Sequence, residues 1–200
     1  HVVIVSLQLH GVEQLAEVSG PSGAGRFIEQ LRNTLNEIAY KRSARLTWHR
    51  DRALMGEHLV PSGGATALVG LMANPARAPA DAAWLAVDIH EAIQGACDDM
   101  PVELQASIGI VRGIATGRRD HAGHLVGHVI QEPAMELARM LGQKAPAGGT
   151  WVAGGLYRLV RRDFVWADAP TIALDSSRSK NMPDNMRIYA LVRSLTREEK

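Results

Sequence analysis

Hydrophobic residues along the chain change their spacing several times, and each change predicts a separate element. The apolar, β-branched run from Val2 to Leu9 predicts a buried strand. Apolar residues at helical spacing predict a helix over 25–41, and Asp81 is a plausible N-cap for another helix through about 94. Similar patterns predict strands at 45–48, 59–60, 102–111, 125–130 and 187–192, a helix at 134–141, and strand and helix content within 151–160. Gly, Pro and polar residues predict loops at 19–25 and 116–123, and the apolar run 67–72 is compatible with the start of a helix.

The resulting order of elements, β-α-β-β-α-β-β-α-β, predicts an α+β fold. In such folds a mostly antiparallel sheet carries its helices on one face. We expect one domain over 1–193 and a charged tail over 194–200. Because the chain begins directly on a core strand pattern, we expect further residues to precede it in the natural protein.

Composition narrows the class of protein without defining a function. A hydrophobic fraction of 46% is normal for a globular core, and the net charge of +1 favours neither a nucleic-acid nor a membrane partner. No apolar run approaches the ~20 residues that a membrane span requires. The single Cys97 excludes an internal disulfide and is typical of a reducing compartment, so we expect a cytoplasmic location.

The segment 129–141 carries the most specific sequence signal. It reads Val-Ile-Gln-Glu-Pro-Ala-Met-Glu-Leu-Ala-Arg-Met-Leu. This resembles a segment of the class III nucleotidyl cyclases that reads roughly Val-Ile-Gly-Asp-Thr-Val-Asn-x-Ala-x-Arg-Leu. In that resemblance the family's Gly matches Gln131 and its Asp matches Glu132. The asparagine and arginine that stabilise the transition state match Met135 and Arg139.

Further segments resemble the same family in the same order along the chain. The first family strand matches Leu7-Gln8-Leu9-His10-Gly11-Val12, which places Gln8 at the first metal-binding Asp. The segment 49–55, followed by Leu59-Val60-Pro61, places Leu54 at the second metal-binding Asp. An alternative register places Glu57 there and retains one carboxylate. The segments 109–113 and 180–189 complete the resemblance.

The resemblance implies a ferredoxin-like βαββαβ palm core with a C-terminal extension. It also implies active sites between two protomers, and therefore a homodimer or a heterodimer with another cyclase-like chain. Family members use two divalent metals, Mg²⁺ or Mn²⁺, to cyclise a nucleoside triphosphate. Because Gln8 is neutral and Leu54 has no ligand atom, we expect no cofactor, with Mg²⁺ or Mn²⁺ only if some cyclase activity remains.

Four residues are candidates for contact with a nucleotide. Arg139 matches the family's phosphate ligand, but a helix residue paired with Glu136 or Glu132 is the favoured interpretation, since Met135 replaces the usual partner asparagine. His128 and Glu132 fall where the family contacts the purine, and ordinary loop polar groups are an equally good interpretation. The spacing of His121, His124 and His128 along the chain does not match a standard zinc-binding pattern.

These observations lead to two main hypotheses. The favoured one is a catalytically silent cyclase homology domain that dimerises, acts as a regulatory module and retains a nucleotide pocket. The alternative is an active cyclase, or half of a heterodimeric site whose partner supplies both Asp residues. A degenerate diguanylate cyclase ranks last, because the Gly-Gly-Asp/Glu-Glu-Phe signature is absent.

Overall fold

A seven-stranded sheet runs through the computed structural model, which describes residues 1–49, 52–55, 58–61, 63–71, 74–123, 125–169, 172–173 and 185–196. The helices are α1 (Val12–Lys41), α2 (Ala78–Cys97), α3 (Glu132–Lys144) and α4 (Gly154–Val160). The strands are β1 (Val2–His10), β2 (Ala44–Trp48), β3 (Arg52–Met55), β4 (His58–Pro61), β5 (Gly64–Val69), β6 (Gln105–Gly113), β7 (Ala115–Arg119), β8 (Leu125–Ile130), β9 (Thr150–Ala153), β10 (Phe164–Asp168), β11 (Ile172–Ala173), β12 (Asn185–Met186) and β13 (Ile188–Ser194).

The strand order of the main sheet is β10-β13-β9-β6-β1-β5-β2, and only β6 and β9 pair in parallel. The central strand β1 lies between β5 and β6, with Ser6 opposite Thr66 on one side and Gly109 on the other. The order β6-β1-β5-β2 of the four main-sheet strands that come first along the chain, with α1 and α2 as crossovers, is a ferredoxin-like βαββαβ core. The predicted α+β fold class is therefore confirmed, and β9, β13 and β10 form the C-terminal extension. Three two-stranded ribbons, β3–β4, β7–β8 and β11–β12, stand apart from this sheet.

Apolar side chains project from both faces of the main sheet. Val3, Val5 and Ile108 pack with α1, α2 and α4 on one face, whereas Ile4 and Val111 pack with α3 on the other. The expectation that the helices share one face holds for α1, α2 and α4 and is wrong for α3. The physical reason is visible in β1, because a strand buried on both faces carries a continuous apolar run rather than an alternating one.

Helix α3 approaches the sheet so closely that backbone meets backbone. A Cβ atom at Gly109 would lie 2.3 Å from both Ala138 O and Gly142 N. A Cβ at Gly142 would lie 3.0 Å from Ser6 O, and Ser107 Oγ donates a 2.6 Å hydrogen bond to Gly142 O. These contacts fix the height and rotation of α3 above β1 and β6.

Three predictions of local structure were wrong, each for a physical reason. The predicted loop at 19–25 lies within α1, where Gly20 alone leaves helical geometry (φ 71°, ψ 160°) and Pro21 starts the second part of the helix. Glycine adopts that conformation freely, and proline is well suited to a first helical position. The run 67–72 does not begin a helix, because its first residues complete β5 in the main sheet. Part of the predicted loop at 116–123 is β7, which pairs with β8.

None of the helices in the described residues combines the length and apolar character needed to cross a bilayer.

We expect Gly109→Ala to destabilise the domain. The added methyl group overlaps backbone atoms of α3, so relief requires α3 to move, and overpacking of this kind costs roughly 1–3 kcal/mol or more. The matched control is Gly95→Ala on the exposed side of α2, where a Cβ meets nothing within 4 Å. The control should raise stability by up to about 1 kcal/mol, as Ala replaces Gly in a helix. Urea unfolding measures both variants, and equal stability of Gly109→Ala and the wild type would contradict the close packing of α3.

Candidate functional site

A pocket of about 450 Å³ lies on the α3 face of the sheet. We call it the central pocket. Its lining residues come from β1, from β5, from the residue after β2 and from one side of α3: Ser6, Leu7, Gln8, His49, Thr66, Glu132, Met135, Glu136, Arg139 and Gln143. The α3 residues recur three or four positions apart, so they share one helix face.

The structure brings four of the predicted site residues together. Gln8, Glu132, Met135 and Arg139 all line the central pocket. His128 lies on β8 and does not line it. Leu54 belongs to β3, but its side chain lies outside what the structure describes, and Glu57 also lies outside the described residues.

The pocket also contains polar residues that the sequence analysis did not identify. His49 Nε2 and Thr66 Oγ1 form a 3.0 Å hydrogen bond across β2 and β5. Gly64 lies opposite Gln8 in the sheet, and a Cβ there would meet His49 Nδ1 at 2.7 Å and Gln8 Oε1 at 3.3 Å. The missing side chain at Gly64 therefore leaves room for His49 and Gln8 to approach each other. Sequence alone could have hinted at this group, since Ser6 and Gln8 interrupt the otherwise apolar β1.

Arg139 forms an ion pair with Glu136 one turn earlier on α3. The prediction that Arg139 pairs along its own helix is therefore confirmed. Both side chains are half-exposed, at 55% and 44%, and exposed pairs of this kind contribute only about 0–1 kcal/mol. Arg139 thus borders the central pocket without being strongly held by its partner.

The donor atoms of the central pocket do not fit the two divalent metals that the resemblance implies. Mg²⁺ and Mn²⁺ prefer carboxylate oxygens in near-octahedral arrangements. Gln8 offers an uncharged amide, whose Nε2 donates to Leu9 O at 3.4 Å, and Glu136 is engaged by Arg139, which leaves Glu132 as the other carboxylate of the described lining. Among the described residues, no three His, Cys, Asp or Glu side chains form a cluster able to hold a metal ion.

A serine–histidine contact elsewhere on the sheet does not form a nucleophilic dyad. His10 Nε2 and Ser107 Oγ lie 2.7 Å apart. Ser107 is fully buried, and its hydroxyl proton is donated to Gly142 O. A nucleophile must instead give its proton to the base and reach a substrate. This pair serves to hold α3 on β6.

A further cavity of about 400 Å³ lies between α2 and the start of β6, lined in part by His90, Cys97, Asp98 and Glu103. His90 Nε2 and Thr150 Oγ1 form a 2.9 Å hydrogen bond. Burial lowers the pKa of the His90 imidazole, because the protein interior disfavours the charged ring. A neutral histidine bonded to a buried threonine is a structural link between α2 and β9.

Solved structures of nucleotidyl cyclase domains share this fold. Three of them match with a TM-score between 0.67 and 0.69: a dimeric guanylyl cyclase domain of the RhoGC fusion protein from Blastocladiella emersonii, the guanylate cyclase domain of RhGC from Catenaria anguillulae in complex with GTP, and the adenylyl cyclase CyaB from P. aeruginosa. The first two are 13% and 14% identical over 97% of each chain, and CyaB is 14% identical over 100% of this chain and 96% of its own.

The chain therefore has the fold of class III cyclase catalytic domains, as the sequence resemblance implied. No protein-family model and no curated protein sequence matches it.

The lowered pKa of His90 gives a pH dependence whose sign can be tested with His90→Gln. As the pH falls below about 6.5, the unfolded chain takes up the proton before the folded chain does. The wild type should therefore lose stability from this residue as the pH falls through that range. Glutamine can keep a hydrogen bond to Thr150 but does not titrate. The free energy of unfolding of His90→Gln, relative to that of the wild type, should therefore increase as the pH is lowered from 7.5 to 5.5. Urea unfolding at both pH values measures the difference, with His121→Gln in an exposed turn as control. If the difference in unfolding free energy between His90→Gln and the wild type is the same at both pH values, the lowered pKa of His90 is contradicted.

Proposed function

We propose that this chain is a catalytically silent cyclase-like domain that dimerises in the cytoplasm and acts as a regulatory module. Its central pocket accepts a cyclic mononucleotide without converting a triphosphate. The observation that carries the proposal is the neutral Gln8 in the wall of the central pocket, where the cyclase resemblance requires a metal-binding carboxylate.

Cyclisation of a nucleoside triphosphate is the reaction that this pocket has to support if the chain is an enzyme. The ribose 3′ oxygen must attack the α-phosphorus while pyrophosphate leaves, and negative charge builds up on both sides of the phosphorus. In two-metal sites the metals stabilise the attacking and leaving oxygens. Gln8 brings no charge to bind them, and Leu54 brings no ligand atom. Arg139 supplies one positive charge, which cannot replace two divalent ions.

The charges of the central pocket favour a ligand with few negative charges. Glu132 and Glu136 contribute two negative charges and Arg139 one positive charge, so the charged lining has a net charge of −1. A triphosphate without metals is repelled by this lining. A cyclic mononucleotide carries a single negative charge that Arg139 can meet, and its base and ribose can reach His49 and Glu132 through hydrogen bonds.

An exposed apolar surface on the β7–β8 ribbon supports the dimer. Val129 and Val126 on β8 are 69% and 40% exposed, and Ile114, next to β7, is also exposed. This ribbon stands apart from the main sheet, so its apolar side chains are available to a second protomer. The guanylyl cyclase domain of RhoGC from Blastocladiella emersonii, which has this fold, is known both as a non-canonical dimer and as a monomer, so the fold is compatible with a dimer.

One observation favours a half-site enzyme as the second candidate. Arg139 lines the central pocket, and its ion pair with Glu136 is weak enough to be exchanged for a phosphate. A partner chain that supplies both Asp residues would then complete the reaction at the interface.

We expect cyclic AMP or cyclic GMP to raise the melting temperature of the purified chain, whereas ATP or GTP with Mn²⁺ yields no cyclic product. A ligand at about 100 times its dissociation constant adds roughly 2.7 kcal/mol of stability, which a thermal-shift measurement detects easily. Arg139→Ala should remove the shift, because it removes the positive charge of the pocket. Arg26→Ala, on the exposed side of α1, is the matched control and should keep it.

Product formation separates the two candidates. Mn²⁺-dependent cyclic nucleotide from the chain alone would overturn the silent domain. Product that appears only on mixing with a cyclase chain carrying both Asp residues, and that disappears with Arg139→Ala, would establish the half-site enzyme. If no cyclic nucleotide causes a shift, the proposed pocket ligand is wrong.

We expect Val129→Asp to weaken the dimer at least about tenfold, since burying an unpaired charge in an apolar interface costs more than the ~1.4 kcal/mol that a tenfold change represents. Analytical ultracentrifugation over a concentration series measures the change. Leu159→Asp, at an exposed apolar position of α4, is the control and should leave the dimer intact. Equal dissociation constants for Val129→Asp and the wild type would exclude the ribbon as the interface.

A further inference from the structure

A cavity of about 400 Å³ lies on the side of α3 that faces away from the central pocket. We call it the arginine cavity. Three arginines line it, each from a different part of the chain: Arg112 from β6, Arg158 from α4 and Arg187 from the residue before β13. No carboxylate among the described residues lines it.

The positive charge of the arginine cavity is not balanced by ion pairs that the structure shows. The ion pairs that the structure shows include Arg42 with Asp88, Arg77 with Asp81 and Arg139 with Glu136, and none of these involves a cavity arginine. All three arginines are exposed, so their guanidinium groups can turn toward one anion at the cavity. An anion bound between them would be attracted by their positive charge and accept several charge-assisted hydrogen bonds.

The wall between the arginines is apolar. Leu156 is fully buried, and Val111 and Leu137 are nearly so, at the edge where the cavity meets the core. Gly155 also lines the cavity, and it is exposed, so a Cβ atom there would point into open space. A cavity of this volume suits a small organic molecule, since ligand pockets usually span about 300–1,000 Å³.

We propose that the arginine cavity binds a small phosphate monoester with an apolar or aromatic body. A phosphate monoester carries about 1.5–2 negative charges at pH 7 and three acceptor oxygens, which matches three guanidinium donors better than a carboxylate does. The apolar wall accounts for the body of the ligand. This site is separate from the central pocket, and the proposal does not depend on the silent or active state of that pocket.

Phenyl phosphate is the probe, titrated into the full chain by isothermal calorimetry at low salt and at ~150 mM salt, where the Debye length is about 8 Å. We expect saturable binding that weakens as salt rises. The double variant Arg158→Gln/Arg187→Gln should weaken binding at least about tenfold, since each lost hydrogen bond between charged groups lowers an affinity by roughly tenfold or more. Arg161→Gln, an exposed arginine just after α4 that does not line the cavity, is the matched control and should change the affinity less than twofold. The proposed site would be overturned if phenyl phosphate gave no heat of binding, or if the double variant bound it with the affinity of the wild type.

Two variants and two other anions test the chemistry and the location. Gly155→Phe adds a bulky side chain at the rim of the cavity without removing a charge and should weaken binding, and an unchanged affinity would count against the location. Benzoate and inorganic phosphate should both bind more weakly than phenyl phosphate. Equal affinity for benzoate would overturn the phosphate, and equal affinity for inorganic phosphate would overturn the role of the apolar wall. Arg139→Ala should leave phenyl phosphate binding intact. If Arg139→Ala no longer binds phenyl phosphate, the ligand lies in the central pocket and the proposal is overturned. If Arg139→Ala loses only the thermal shift caused by a cyclic nucleotide, the two sites are separate.

Discussion

The close contact between α3 and the sheet is the constraint on which both candidate sites depend. Gly109 brings the backbone of β6 against Ala138 and Gly142, and Ser107 ties the same turn of α3 to β6 through Gly142 O. At Gly109 no side chain separates the strand from the helix backbone, so neither the height nor the rotation of α3 can vary much. One face of α3 is thereby fixed over the central pocket and another over the arginine cavity.

Given that position of α3, the chemistry of the central pocket follows from a few side chains. Gln8 and Arg139 line the same pocket, as the cyclase resemblance requires. The fold that brings Gln8 and Arg139 together requires only glycines and apolar residues at the contacts between α3 and the sheet, and the chain has these residues. The charges needed for metal-assisted phosphoryl chemistry are separate from that backbone, which is why a chain can keep this fold without keeping the reaction.

The sequence predicted the fold class and the main-sheet strands β1, β2, β6 and β13, because the apolar run 2–9 and the alternating pattern of 102–111 are strong local signals. It missed β7, whose polar residues become a strand only by pairing with β8, and the helical part of 19–25, which depends on packing against the sheet. The α3 face of the central pocket was predicted from the 129–141 motif. His49 and Thr66 were missed because their contact crosses two strands, and no spacing in the sequence reveals it. The domain limits and the roles of the site residues stay predictions.

The two sides of α3 carry opposite charges, and this difference would direct an anionic ligand to one of the two proposed sites. Glu132 and Glu136 face the central pocket, whereas the lining of the arginine cavity carries three positive charges and no described carboxylate. A highly charged phosphate compound without metal ions is therefore attracted to the arginine cavity and repelled from the central pocket. Only ligands of low charge, or ligands that carry their own cations, overcome the negative lining of the central pocket. A rise in stability with a phosphate compound therefore does not show which of the two sites binds it. Substitutions that change the charge of one cavity at a time distinguish a nucleotide pocket from a separate phosphate site.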